Sequence, residues 1–226
     1  NATMIFPICR YLENVVKKRY PSQNTDVFFE GVNPSHWYND NGMQLKHPCV
    51  GLLQDANIWD KTKEMLVLKK VLEKMPDVNF YWAGDGPYKD RIISELSKFE
   101  NFKWLGRLQY PENVRKFLSS IDVYALPSGL DTIPLTLKEA QLLEKPVVAT
   151  NVGGIPEGLQ KNQTGFLVEE GDHKGWIDKI SILINDKDEA KKMGCKGKEF
   201  VEKNFNWGIT AKNFVNVTKS YIKNRN

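Results

Sequence analysis

Short apolar runs recur along the chain, separated by longer stretches in which apolar residues return every three or four positions. The runs are 48–53 (PCVGLL), 78–84 (VNFYWAG), 102–106 (FKWLG), 121–126 (IDVYAL) and 146–150 (PVVAT). Their brevity, their β-branched and aromatic content and their Gly or Pro borders predict buried strands. Between them, 61–75 sets Met65, Leu68 and Leu72 on one face and meets a stop at Pro76, the period of an amphipathic helix. Further helices are predicted from the GDGP turn (84–87) through Phe99, over 111–120, over 176–184, near 189–203 and in a closing amphipathic stretch that includes 207–221. Ahead of the first run, the pattern predicts a helix over 5–19 ended by Tyr20-Pro21, a strand and turn over 26–34, and a polar loop from His36 to His47. Strands alternating with helices predict an α/β fold with a doubly wound parallel sheet and helices on both faces. The 226 residues suffice for one well-cored domain, so 1–226 is read as a single unit closed by a helix within 205–226.

Composition narrows the partners more than the fold. A hydrophobic content of 41% and a charged content of 27% are those of an ordinary globular chain. A formal charge of +4 with pI near 8.8 suits an anionic ligand. Lys and Glu are interspersed rather than blocked, so no nucleic-acid partner is expected. Cys9, Cys49 and Cys195 are odd in number and far apart, which predicts no metal spacing, no disulfide framework and a reducing compartment. No apolar run approaches the ~20 residues of a membrane span, and no signal peptide opens the chain. A cytoplasmic location is therefore expected, and NQT (162–164) and NVT (216–218) are read as chance matches to the glycosylation pattern. The start at Asn1-Ala2, without a methionine, suits a cloning scar on a piece cut from something longer.

Most of the chemistry gathers in 126–157, LPSGLDTIPLTLKEAQLLEKPVVATNVGGIPE. Pro134 is placed at the first position of a helix, where its missing N–H costs nothing. Leu135, Thr136 and Leu137 would then leave unpaired amides at the positive end of the helix dipole, a ready seat for a phosphate. Asp131 lies in the loop before that seat, and Glu139 follows it by eight positions, inside the helix. Two carboxylates flanking a phosphate pocket suit a ligand with hydroxyls at both ends, a ribose and a sugar. In open α/β sheets the loops after the strands carry the ligand, here 54–61, 84–87, 107–110, 127–134 and 151–157. GDGP lacks the spacing of the dinucleotide fingerprint, so no nicotinamide cofactor is expected. Gly153-Gly154 is read as permitting close packing. His36, His47 and His173 are read as surface residues without a nucleophile partner, and no ligating cluster is spaced for a metal.

The ordered set of PS (127–128), Asp131, Pro134-Leu135, Glu139-Ala140, PVVAT, GG-Pro-Glu and TGFLV (164–168) resembles the C-terminal domain of the retaining glycosyltransferases called group 1. Those enzymes have the GT-B fold. The resemblance covers 5–223, with three departures. Asp131 stands where the family has the first Glu of its pair, Glu144-Lys145 replaces a Gly, and Leu52 occupies the place of an Arg. It implies a Rossmann-like half of a GT-B architecture that holds the activated donor, while a missing N-terminal domain holds the acceptor. By the same resemblance Glu139 accepts the ribose hydroxyls, and Asp131 holds sugar hydroxyls beside the anomeric carbon. Lys61, in Lys61-Thr62 where the family has Lys-Gly, binds the diphosphate, with Lys63 as the competing choice. Arg107 is the substitute for the absent Arg, and the backbone around Leu108-Gln109-Tyr110 is a shelf for the base. The implied substrate is a nucleotide-diphosphate sugar with no cofactor and no metal. The last helix is expected to cross to the missing domain, the isolated half to bind but scarcely turn over, and the full enzyme to associate peripherally with membranes. The rival reading is a non-catalytic nucleotide-sugar-binding or interaction module with a degenerate site, motivated by Asp131 and Leu52.

Overall fold

The computed structural model describes residues 2–223. Among them, six strands form one parallel sheet: β1 (Cys49–Leu53), β2 (Asn79–Ala83), β3 (Phe102–Gly106), β4 (Val123–Leu126), β5 (Val147–Thr150) and β6 (Phe166–Val168). Their order is β3-β2-β1-β4-β5-β6. The winding reverses between β1 and β4, where Gly51 lies beside Tyr81 on one side and Tyr124 on the other. Every residue of β1, β4 and β5 is buried, because helices cover both faces. A parallel strand so enclosed reads as a continuous apolar run rather than an alternating one. The edge strand β6 was not among the predicted runs.

The helices are α1 (Arg10–Arg19), α2 (Trp59–Thr62), α3 (Leu68–Lys74), α4 (Lys89–Leu96), α5 (Glu112–Ser120), α6 (Leu135–Leu142), α7 (His173–Asn185), α8 (Lys187–Asn204) and α9 (Trp207–Lys223). One face of the sheet packs Tyr124 and Ala149 against Phe117 of α5 and Leu137 and Ala140 of α6. The other packs Leu52, Trp82 and Val148 against Leu68 and Leu72 of α3, Ile92 of α4 and Trp176 of α7. Helix α8 wraps the edge, giving Val201 to the first core and Met193 to the second. Gly51 is small for a steric reason: a Cβ there would lie 2.5 Å from Ile121 and 3.0 Å from Phe117.

Three predicted elements differ. The first helix begins at Arg10, not residue 5. The carbonyls of Ile5 and Pro7 accept from Asp26 and Phe28 at 3.2 and 2.8 Å, and that pairing leaves the stretch extended. Residues 26–34 form no strand: their pairing with 5–7 is limited to one bridge, Ile5 to Thr25, because Pro7 has no N–H to carry the ladder on, and Val32 turns to Phe205 instead. Their aromatic rings serve packing instead, Phe28 lying 5.1 Å from Phe214. The helix predicted over 61–75 is broken into α2, a 3-10 turn at Lys63–Val67 and α3. The tightened turn carries buried Glu64, whose carboxylate accepts the Gly171 amide at 2.8 Å, while Met65, Leu68 and Leu72 keep one face inward. The closing helix is described as far as Lys223; residues 224–226 and Asn1 of the expected scar lie outside the described residues.

Candidate active site

At the carboxyl ends of β1 and β4 lies an open cleft of about 570 Å³, at the switch point where ligands bind in such sheets. Asp131, Glu139, Lys61, Pro134, Leu135, Thr136, Arg107 and Leu108 all line it. The fold thus brings these eight residues together from two helices, α2 and α6, and two loops, those after β3 and β4.

Pro134 is the N-cap residue of α6 rather than its first helical residue, with ψ at 141°. Its ring fixes φ but leaves ψ free to stay extended, so Leu135 begins the helix. No side chain caps that end, and the first-turn amides meet the positive end of the dipole. Tyr124 anchors the turn from below, its hydroxyl 2.8 Å from Thr136 Oγ1.

Glu139, one turn further on, is only 2% exposed, which excludes a solvated helix acid. Its Oε1 accepts the Tyr110 hydroxyl at 3.2 Å. Burial pushes its carboxyl up to about 7, against the opposing pull of the Tyr110 hydrogen bond and of Lys138. Lys138 is itself buried and lowered to about 8 by desolvation, and it donates to the Glu30 carbonyl at 2.7 Å.

Asp131 is held otherwise. Its Oδ2 lies 2.6 Å from Lys61 Nζ, so two groups assigned to different parts of one ligand neutralise each other. Lys63 pairs with Asp60 at 2.9 Å and does not line the cleft. The turn at Gly153-Gly154 presses on the backbone of Asp131. Gly153 has φ +56° and a Cβ there would come within 2.0 Å of the Asp131 carbonyl, which also accepts the Gly154 amide at 3.0 Å. Glu157, from the same turn, accepts the Arg10 and Tyr11 amides at 2.7 and 2.8 Å and so caps α1.

Leu52 is fully buried in the second core and faces no ligand. Arg107 is the exposed cation at that end of the cleft, 3.4 Å from Asp55 Oδ2. Asp55 and the Tyr110 side chain were not foreseen. Both lie in loops marked for attention, but a period-based reading assigns no direction to a loop side chain. His36 and His173 stay apart from the cleft. His47 is exposed, as expected, but it is not without partners: it joins Cys49 and Asp122 in the one grouping, among the described residues, spaced to hold a metal ion, at the opposite end of the sheet.

The family model for glycosyl transferases group 1 matches residues 60–200, which run from α2 to α8 and hold most of the cleft lining. The chain belongs to the group 1 glycosyl transferases. Among its relatives is the sulfoquinovosyl transferase SQD2 of Arabidopsis thaliana, 33% identical over 189 residues, covering 81% of this chain and 36% of that protein. Across the first three curated relatives, the chain spans 36%, 56% and 51% of their lengths. Its fold is shared with a sucrose-phosphate synthase of Thermosynechococcus elongatus, at a TM-score of 0.83 and 20% identity over 99% of this chain and 59% of that one. It is shared also with HepE of Anabaena, solved with UDP and glucose, at a TM-score of 0.81 and 17% identity over 97% of this chain and 63% of that one. The chain is thus a Rossmann-like C-terminal domain of the GT-B kind.

Proposed function

We propose that the chain, 1–226 as one domain, is the donor-binding half of a retaining glycosyltransferase, which moves a sugar from a nucleotide diphosphate to an acceptor. The observation that carries this reading is the uncapped start of α6, opening on a cleft that Asp131 and Glu139 border. The amides of that first turn, with Lys61 and Arg107, would hold the diphosphate without a metal. They would stabilise the charge that gathers on it as the glycosidic bond breaks, through fixed dipoles and cations. Glu139 would accept the ribose hydroxyls, Asp131 would meet the sugar, and the backbone at Leu108 would bear the base. The UDP and glucose bound by HepE support that choice of ligand.

The acceptor would come from a separate N-terminal half, across which α9 would reach, in a cytoplasmic enzyme that associates peripherally with membranes. Among the described residues no helix is long and apolar enough to cross one. Titration calorimetry of this chain with UDP, GDP and ADP and their sugars tests the reading. Heat from at least one is expected, and none from any overturns it. The second reading, a binding module without chemistry, is favoured by the closed Lys61–Asp131 pair. Donor hydrolysis or transfer by the full-length protein that is lost on Glu139→Ala would support the enzyme, and donor binding with neither activity would support the module.

A further inference from the structure

At the amino ends of β1 and β4, far from the cleft, His47 and Cys49 meet Asp122, 75 positions further along the chain, at one spot. His47 Nδ1 lies 2.8 Å from Asp122 Oδ2 and 3.6 Å from Cys49 Sγ. All three ligand atoms fall within 4.8 Å of one another. A hydrolytic relay needs the acid on one ring nitrogen and the nucleophile on the other. Here both neighbours meet the same nitrogen, so the trio cannot pass a proton from thiol to acid through the ring. Convergence on a shared point is instead what a coordinated ion requires. Tetrahedral bonds of about 2.0–2.3 Å hold N, O and S donors roughly 3.3–3.6 Å apart. The sulfur–nitrogen separation already fits, and the His47 side chain, 51% exposed, has room to back away from Asp122.

We propose that His47, Cys49 and Asp122 form a site for one thiophilic divalent cation, zinc being the type, which staples β1 to β4 at the end of the sheet opposite the cleft. The donor set is one imidazole, one thiolate and one carboxylate, the mixture zinc selects. The thiol proton leaves to solvent as the sulfur–metal bond forms, and thiolate and carboxylate together balance the two positive charges. Lys187 approaches the other carboxylate oxygen, Oδ1, at 3.9 Å, while Oδ2 accepts the Cys49 amide at 2.8 Å, so the lone pair that now meets His47 Nδ1 is the one the cation would take. Lys145 donates to the Ser119 carbonyl at 2.8 Å and adds positive charge nearby, which tempers affinity without blocking a donor. His47 leaves one side of the site open to solvent for entry and for a water as fourth ligand.

The test is cobalt(II) titration of the reduced, metal-stripped chain, read by thiolate-to-metal charge-transfer absorption, followed by zinc displacement. One equivalent is expected, with the band lost on adding zinc. His47→Ala and Cys49→Ala should each weaken uptake by about 10- to 100-fold, while Cys195→Ala leaves it unchanged. His47 is exposed enough that its removal spares the fold, and circular dichroism checks the buried Cys49 variant. Absence of the band overturns the site, as does uptake that His47→Ala leaves undiminished or a band that vanishes with Cys195→Ala.

Discussion

Asp131 and Glu139 border the same cleft, yet the loop that carries one and the helix that carries the other treat a carboxylate in opposite ways. The loop answers charge with charge, placing Lys61 against Asp131 in a partly solvated pair. The helix buries Glu139 and offers it a neutral phenol from Tyr110. An ion pair near water responds to salt and to competing anions. A buried acid facing a hydroxyl responds to protons instead. One end of the cleft is therefore tuned to the ligand's charge and the other to pH.

The largest effect expected from this contrast is on stability. Glu139 is raised from 4.5 to about 7 in the fold, so between those values the folded chain binds more protons than the unfolded one. Stability should fall as pH rises through that window and level off above it, by on the order of 3 kcal/mol in total. Urea unfolding from pH 4.5 to 8 measures the slope, and Glu139→Gln should flatten it; an equal slope in the variant would break the comparison. Next in size, Glu139→Ala should weaken the tightest-binding nucleoside diphosphate by about 10- to 100-fold, the worth of a charged hydrogen bond. Calorimetry reads this, and affinity in the wild type should rise from pH 6 to 8 as the carboxylate ionises.

Lys61→Met should act on charge alone. It is expected to weaken the nucleoside diphosphate about fivefold, near 1 kcal/mol, and to leave the bare nucleoside unchanged. Equal loss for both ligands would show that Lys61 acts on the fold rather than on phosphate. The smallest change is Tyr110→Phe, worth about 0.5–1 kcal/mol. Because that hydroxyl holds the Glu139 carboxyl down, its removal should move the midpoint of the affinity profile to higher pH. An unmoved midpoint would detach Tyr110 from Glu139.

Much of this was legible in the order of residues. Buried strands such as 146–150 and the loops after them follow from local pattern, and the uncapped start of α6 follows from Pro134 and the bare turn behind it. What escaped depends on distance along the chain. Asp131 and Lys61 are 70 positions apart, Tyr110 and Glu139 are 29, and the trio at His47 draws on Asp122 75 positions away. No period reports such meetings. Residues 26–34 show the converse: their β-like pattern was real, but their neighbour at 5–7 is cut short by Pro7, and their rings pack against α9 instead. Pro134 missed by a single position, because a fixed φ leaves ψ to the surroundings.

The Gly153–Glu157 turn serves two masters. Through the Gly154 amide it grips the carbonyl of Asp131, and through the Glu157 carboxylate it grips the head of α1. A tug on the leading helix therefore travels, by way of five residues and three hydrogen bonds, to the acid at the rim of the cleft.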